Sequence, residues 1–412
     1  MKKFILFLVS LSALTSKAQW SQIAYMTIPG DTASNVNEYA GFGGNLYSAT
    51  NRGIFVSTTN GNSWTNISYN VAVTQSLTMM SVWEESVTTI YAGSNMRLYK
   101  STNSGSTWTW IPLSIDSISI TDIQRSNSNL VLCYNKNFVK GGAFYSSNNG
   151  VTWNASNGIP VTNPMQDLHV EGDTVYVAGK GGIYRSVDKG VNFSFLGNGT
   201  GQGLRTIDRH QGNLFAGDGG GTGMYVSTNN GTTWSPAAAS VFAGFCQVFS
   251  TTQAPGMILT AVDGGSVCNN ASSNPVKAST DGGVTWTTYT TGLAMPGSYT
   301  KVGTNSTLSS FFTSVNKKIY RTNGPLVIKE TAGAYNDVLI YFDGQQDLNI
   351  RIPNTTILNV KTYSVNGSIL HEDNYSDSNI KITDLHNVKP GILFVTMTDG
   401  KNIVTKKVLK VE

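Results

Sequence analysis

The chain has 412 residues, only 13% of them charged, with 28 Lys and Arg against 24 Asp and Glu. Lys2, Lys3 and Lys17 sit in the first 18 residues, so the remainder carries a formal charge of only +1. That is no electrostatic footprint for nucleic acid or an anionic membrane. Three cysteines, Cys133, Cys246 and Cys268, are too few for a disulfide framework in a chain this long, and leave open a Cys246–Cys268 bridge or three buried thiols. With no C-x-x-C and no histidine pair at i, i+4, nothing here calls for a metal or a cofactor.

In chain order, the first element is an address. Met1-Lys2-Lys3 precedes an apolar run from Phe4 to Leu14, and Ser16-Lys17-Ala18 supplies small residues at the −3 and −1 positions of a cleavage site. This predicts a secretory signal peptide over residues 1–18 and a mature start at Gln19 or Trp20. The run is too short to span a bilayer, and no later apolar stretch reaches that length, so no transmembrane segment remains after cleavage.

A repeat follows. Ser57–Trp64 (STTNGNSW) recurs at Ser101–Trp108, Ser146–Trp153, Ser186–Phe193, Ser227–Trp234 and Ser279–Trp286, at spacings of 44, 45, 40, 41 and 52 residues. Each copy reads as a hairpin turn. The Asp or Asn at its third position can bond the turn's own N–H groups, the fifth-position glycine takes a positive φ, and the closing aromatic buries a ring against the neighbouring unit. Upstream of each box lie two more strands, exemplified by Gln166–His169 and Thr174–Ala178. Each period therefore holds four short strands, the content of one propeller blade. A degenerate seventh unit runs through Thr307–Phe312 and Lys318–Thr322. The expected fold is all-β: a seven-bladed, alternatively six-bladed, β-propeller over residues 19–325, followed by a small β-sandwich over 326–412.

The boxes resemble the Asp-box, or BNR, repeat of sialidases, xyloglucanase-type hydrolases, sortilin-like receptors and photosystem assembly factors. The resemblance covers residues 40–325 and implies the propeller fold, not an activity. Thr59, Asn103, Asn148 and Asn229 replace the Asp in four copies. A sialidase-like site needs an arginine cluster, a Tyr–Glu pair and a further acid. Only Glu38, Glu84, Glu85 and Glu171 occur between Gln19 and Pro325, and Arg52, Arg97 and Arg185 lie beside the outer hairpins. Arg351-Ile352-Pro353, the tripeptide that precedes the first box in sialidases, falls after the last box here.

Aligning units on Leu46, Leu130, Val175 and Leu214 places Glu38, Asp122, Asp167 and Thr206 at equivalent positions, with Ser81, Gln247 and Lys301 as counterparts in the other units. On innermost strands, Glu38, Asp122 and Asp167 are the candidate catalytic carboxylates of a glycoside hydrolase. The bland alternative is a polar lining for a water-filled channel. Arg205–His210 reads as a solvated strand end, and the glycine-rich Asp218–Gly223 lacks the following helix that a phosphate cradle needs.

After Pro325 the repeat stops. Val360–Gly367, Leu385 with Lys389-Pro390-Gly391, and Gly400–Lys410 resemble the C-terminal sorting domain of the type IX secretion system of Bacteroidetes, although Tyr335-Asn336-Asp337-Val338 stands where the family opens on Tyr-Pro-Asn-Pro. The resemblance implies the type IX outer-membrane export machinery as partner and a protein that is secreted or held at the outer-membrane surface after passing the periplasm. The leading expectation is a non-catalytic propeller that binds an extracellular glycan or protein ligand; a glycoside hydrolase and an assembly factor are the rivals.

Overall fold

The structure, a computed structural model, describes the chain from Trp20 to Lys410 apart from residues 27–34, 69–77, 198–202, 264–275, 294–300, 305–309, 323–338, 343–346, 352–357 and 365–368 and shorter stretches between. The signal peptide, Cys268, Tyr335–Val338, Pro353 and the Asn366-Gly367 turn lie outside the described residues. The chain divides into two compact units, Met1–Leu326 and Val327–Glu412. No described helix is long and apolar enough to cross a membrane.

Seven antiparallel four-stranded sheets make up the described part of the first unit. The third is typical: Ser119–Ser126, Asn129–Lys136, Lys140–Ser146 and Asn154–Ala155 pair in chain order. Its second strand is buried from Leu130 to Asn135, an uninterrupted run, because both faces of the sheet are covered. Each sheet shares a core with the next. Tyr47, Ala49 and Ile54 of the first meet Met79, Val82 and Ile90 of the second, and so on around the chain until Phe312 and Ile319 of the last meet Tyr39, Leu46 and Phe55 of the first.

The last sheet is completed from the other end of the chain. Lys301–Thr304, Phe311–Val315 and Lys318–Thr322 follow one another, but the fourth strand is Trp20–Gln22, with Trp20 opposite Thr322. Trp20 is buried, and its indole N–H donates to the Tyr289 carbonyl at 2.8 Å. This closure ties the ends of the unit together and pairs the otherwise open edge of Lys318–Thr322.

The box turns take the predicted form. The fifth-position glycines Gly61, Gly105, Gly150, Gly190, Gly231 and Gly283 have φ between 72° and 89°. Each donates its N–H to the first-position serine hydroxyl at 2.8–2.9 Å. The third-position side chain accepts the N–H four residues on, as when Asp188 accepts from Asn192 at 2.8 Å and Asn148 from Thr152 at 2.9 Å.

The second unit contains two sheets. One joins Leu339–Phe342, Leu348–Arg351 and Asn379–Ile382; the other orders Ile369–Tyr375, Leu358–Ser364, Gly391–Thr398 and Ile403–Lys410. Leu348, Ile350 and Ile380 from the first share one core with Val360, Val395 and Met397 from the second. Lys410 is buried, and its ammonium donates to the carbonyls of Leu385, His386 and Val388 at 2.7–2.9 Å, so all three of its N–H bonds are used.

Candidate functional site: a ring of bulges on the innermost strands

In each of the first six sheets the first two strands slip register once. The slips fall at Val36/Glu38, Met79/Ser81, Ile120/Asp122, Met165/Asp167, Leu204/Thr206 and Val248/Ser250. A bulge leaves one residue unpaired and re-aims its neighbours. Glu38, Asp122, Asp167 and Thr206 therefore do occupy one structural position, as their spacing predicts, and Ser81 and Lys301 share it. Gln247 does not. Ile258 aligns with Leu46 and Leu130 in pairing with the box serine, and eight residues before it stands Ser250.

This position bonds across to the next sheet. The Val82 N–H donates to Glu38 Oε2 at 3.0 Å, the Leu168 N–H to Asp122 Oδ2 at 3.2 Å, and the Ile207 N–H to Asp167 Oδ2 at 2.8 Å. Val302 N–H does the same to Ser250 Oγ at 3.0 Å, while Ser81 Oγ donates to the Ile120 carbonyl at 3.2 Å. The donors Val82, Leu168, Ile207 and Val302 each follow the equivalent residue of their own sheet. For Val82, Leu168 and Ile207 the side chains thus satisfy backbone groups beside the neighbouring bulge, which a regular ladder does not reach. Asp122 also accepts from its neighbour Ile123 N–H at 2.6 Å and from Gln124 Nε2 at 3.0 Å.

Glu38, Asp122 and Asp167 line a single cavity of about 210 Å³, together with Arg205, Lys301 and His169. Asp122 is buried, and Glu38 and Asp167 are half-buried against the cavity. Burial pushes all three carboxyls above the usual range; Asp122 and Asp167 add repulsion at Glu38, Asp167 does so at Asp122, and Asp208 at Asp167. The backbone N–H donors oppose these shifts. Burial lowers the Lys301 ammonium, and the carboxylates of Asp167 and Glu38 partly restore it. Its Nζ reaches back to the Phe249 carbonyl at 3.0 Å. Among the described residues no group of three or more His, Cys, Asp or Glu is arranged to hold a metal ion.

Arg205–His210 is not a solvated strand end: Leu204–His210 is the innermost strand of the fifth sheet. Arg205 and Asp208, three residues apart, both line the cavity because the bulge between Leu204 and Thr206 interrupts the alternation; Asp208 pairs there with His169 at 3.2 Å, and His210 is buried. This His169–Asp208 pair escapes sequence reasoning because its partners belong to different sheets. The Asp218–Gly223 loop is filled by its own carboxylate. Asp218 accepts from Thr222 N–H at 2.9 Å, Thr222 Oγ1 at 2.7 Å and Gly203 N–H at 3.1 Å, occupying the donors a phosphate would need. Cys133 is a buried free thiol and Cys246 is disulfide-bonded.

Four-stranded antiparallel sheets linked in a cycle, with polar innermost strands, define a β-propeller. Residues 344–411 match the secretion system C-terminal sorting domain, so the chain carries such a domain and is exported, to the cell surface or beyond. The chain is similar to YCF48 in its complex with a D1 peptide, at 13% identity over 76% of this chain and 97% of that one, with a TM-score of 0.57. It is also similar to PorZ, a surface component of the type IX secretion system of Porphyromonas gingivalis, at 12% identity and a TM-score of 0.53, covering 94% of this chain and 61% of PorZ. A chain of the mitotic checkpoint complex aligns at 10% identity over 78% of this chain and 99% of its own, with a TM-score of 0.55. These likenesses describe the fold alone. No curated protein matches the chain in sequence.

Proposed function

We propose that this is a secreted or cell-surface, seven-bladed propeller of the Asp-box type that binds an extracellular glycan or protein without catalysis. Residues 1–18 serve as a leader, 19–325 as the propeller and 326–412 as the sorting domain read by the type IX export machinery. The Asp-box reading draws on the shared serine and Asx bonding of the turns. One observation carries the non-catalytic reading: Glu38, Asp122 and Asp167 each hold a backbone N–H of the next sheet. Carboxylates committed to joining sheets are poorly placed to attack a substrate or shuttle its proton. The cavity they line, about 210 Å³, is also smaller than the roughly 300–1,000 Å³ usual for a ligand pocket. A ligand is therefore expected on an outer face of the ring, as rigid scaffolds commonly present loops for recognition. A protein ligand has a parallel in the peptide bound by YCF48.

A second reading, a glycoside hydrolase using Glu38, Asp122 and Asp167, is favoured by one feature. A general acid needs a raised pKa, and burial raises all three. A glycan-array screen with product analysis, run on the chain and its Asp122→Asn/Asp167→Asn variant, separates the two. Saturable binding with no product supports the binder. Product formation that the double substitution abolishes replaces it with the hydrolase, and absence of glycan binding narrows the ligand to protein.

A further inference from the structure

The hairpin joining Asn129–Lys136 to Lys140–Ser146 outreaches its counterpart in the first sheet. There the ladder ends at Thr50 opposite Gly53; here the equivalent rung, Tyr134 opposite Gly142, is followed by Asn135–Gly141 and Lys136–Lys140. Two extra rungs carry the tip about 7 Å further out. The turn residues Asn137 and Phe138 both lie in the left-handed region, at φ 55° and 57°. A turn of this kind favours glycine at its second position, and a bulky side chain there is strained. Little of Phe138 is covered by the protein in return, since 66% of it is exposed. Val139, the next residue of the turn, and Val161, whose carbonyl accepts the Gly141 N–H at 2.9 Å, are 62% and 63% exposed.

Lys136 and Lys140 flank this apolar tip on the last rung of its hairpin. Lys136 anchors one N–H on the Asp116 carbonyl at 2.8 Å, and Lys140 is exposed on the opposite strand of the last rung. Lys180 tops the adjacent sheet, its backbone N–H bonded to Pro164 next to the Gly141 contact. Against these stands the exposed carboxylate of Asp116. The chain as a whole is nearly neutral, so this positive charge is local.

We propose that the Phe138 hairpin is a wedge that inserts into an anionic lipid surface, with Phe138 and Val139 entering the acyl boundary and Lys136, Lys140 and Lys180 meeting headgroup phosphates. A strained, convex, solvent-facing aromatic is a poor receptor for a peptide, which needs a groove, but it penetrates a soft interface whose Lys-flanked entry favours phosphate. An exported chain meets such a surface. The inference is independent of the ligand reading above.

Co-sedimentation of the chain from Gln19 to Glu412 with vesicles of phosphatidylglycerol and phosphatidylcholine tests it. The chain is expected to sediment with these vesicles and not with pure phosphatidylcholine. Phe138→Gly is expected to weaken partition by about tenfold or more, yet to raise the thermal midpoint, because glycine adopts this φ without strain. Lys136→Gln/Lys140→Gln is expected to cost about fivefold per lysine. Failure of the parent chain to sediment, equal binding to uncharged vesicles, or unchanged binding by Phe138→Gly overturns the proposal. A photoreactive group at position 138 that labels protein rather than lipid at the cell surface overturns it as well.

Discussion

The outer box turns and the inner bulges solve the same problem in two ways. Both leave backbone N–H groups without a ladder partner, and both recruit a side chain as acceptor. At the box, donor and acceptor lie four residues apart, as with Ser186 and Gly190 or Asp188 and Asn192. At the bulge they lie about forty residues apart, as with Asp167 and Ile207 or Glu38 and Val82. The local solution repeats almost letter for letter, because every turn presents the same geometry to its own serine. The long-range position drifts through Glu, Ser, Asp, Asp, Thr, Ser and Lys; Glu38, Asp122, Asp167 and Ser250 accept an N–H of the next sheet, whereas Ser81 donates to a carbonyl there and Lys301 to one of the preceding sheet. Sequence repetition therefore marks the structural turn strongly and the candidate site weakly.

This contrast can be broken at its rigid end first. A Cβ on Gly150 would meet the Tyr91 hydroxyl at 2.5 Å and its ring at 2.7 Å, on a residue with φ 72°. Tyr91 is held there by its bond to the Asn149 carbonyl at 2.6 Å. Gly150→Ala should cost about 2–4 kcal/mol through left-handed strain and overpacking, read as a fall in denaturant midpoint at constant m. A loss under about 0.5 kcal/mol would show that the turn yields more easily than its repetition implies.

The inner staple should be next. Asp122→Ala strips the acceptor from the Leu168 and Ile123 N–H groups, and about 1–3 kcal/mol is expected by the same denaturant measurement. Asp122→Asn keeps one acceptor oxygen and should lose less. Equal stability of both variants with the parent would remove the stapling role and revive a purely functional one.

The smallest effect lies in pH. Burial raises the Glu38 and Asp122 carboxyls above their ordinary values of 4.5 and 3.8, so the folded state holds protons that the unfolded chain releases. Their contribution is complete below the ordinary carboxylate range and is lost as pH rises through the folded values. Stability should accordingly increase as pH falls from neutrality toward about 5, which thermal melts across that range would read. Each tenfold difference in proton affinity between the folded and unfolded chain is worth about 1.4 kcal/mol. Glu38→Gln should flatten part of that slope. A slope of opposite sign would mean that the N–H donors outweigh burial at these carboxyls.

Period, turn chemistry and export address were legible from residues alone, because each rests on neighbours along the chain: a Ser-x-Asx-x-Gly turn, a strand of alternating Gly182-Ile183-Tyr184-Arg185, a basic last strand. Even the shared position of Glu38, Asp122 and Asp167 follows from a constant spacing of eight residues to the second strand, and Ser250 obeys the same spacing where Gln247 does not. What tertiary structure alone decided depends on partners remote in sequence. Trp20–Gln22 completes a sheet about 300 residues away, His169 meets Asp208 across two sheets, and three carboxylates are committed to a neighbour's backbone. The turn at Phe138 likewise shows itself only in the φ and exposure of that residue. Local hydrogen bonds write themselves into sequence as a pattern, whereas contacts formed by closing a ring leave only a polar residue whose purpose depends on what the ring brings beside it.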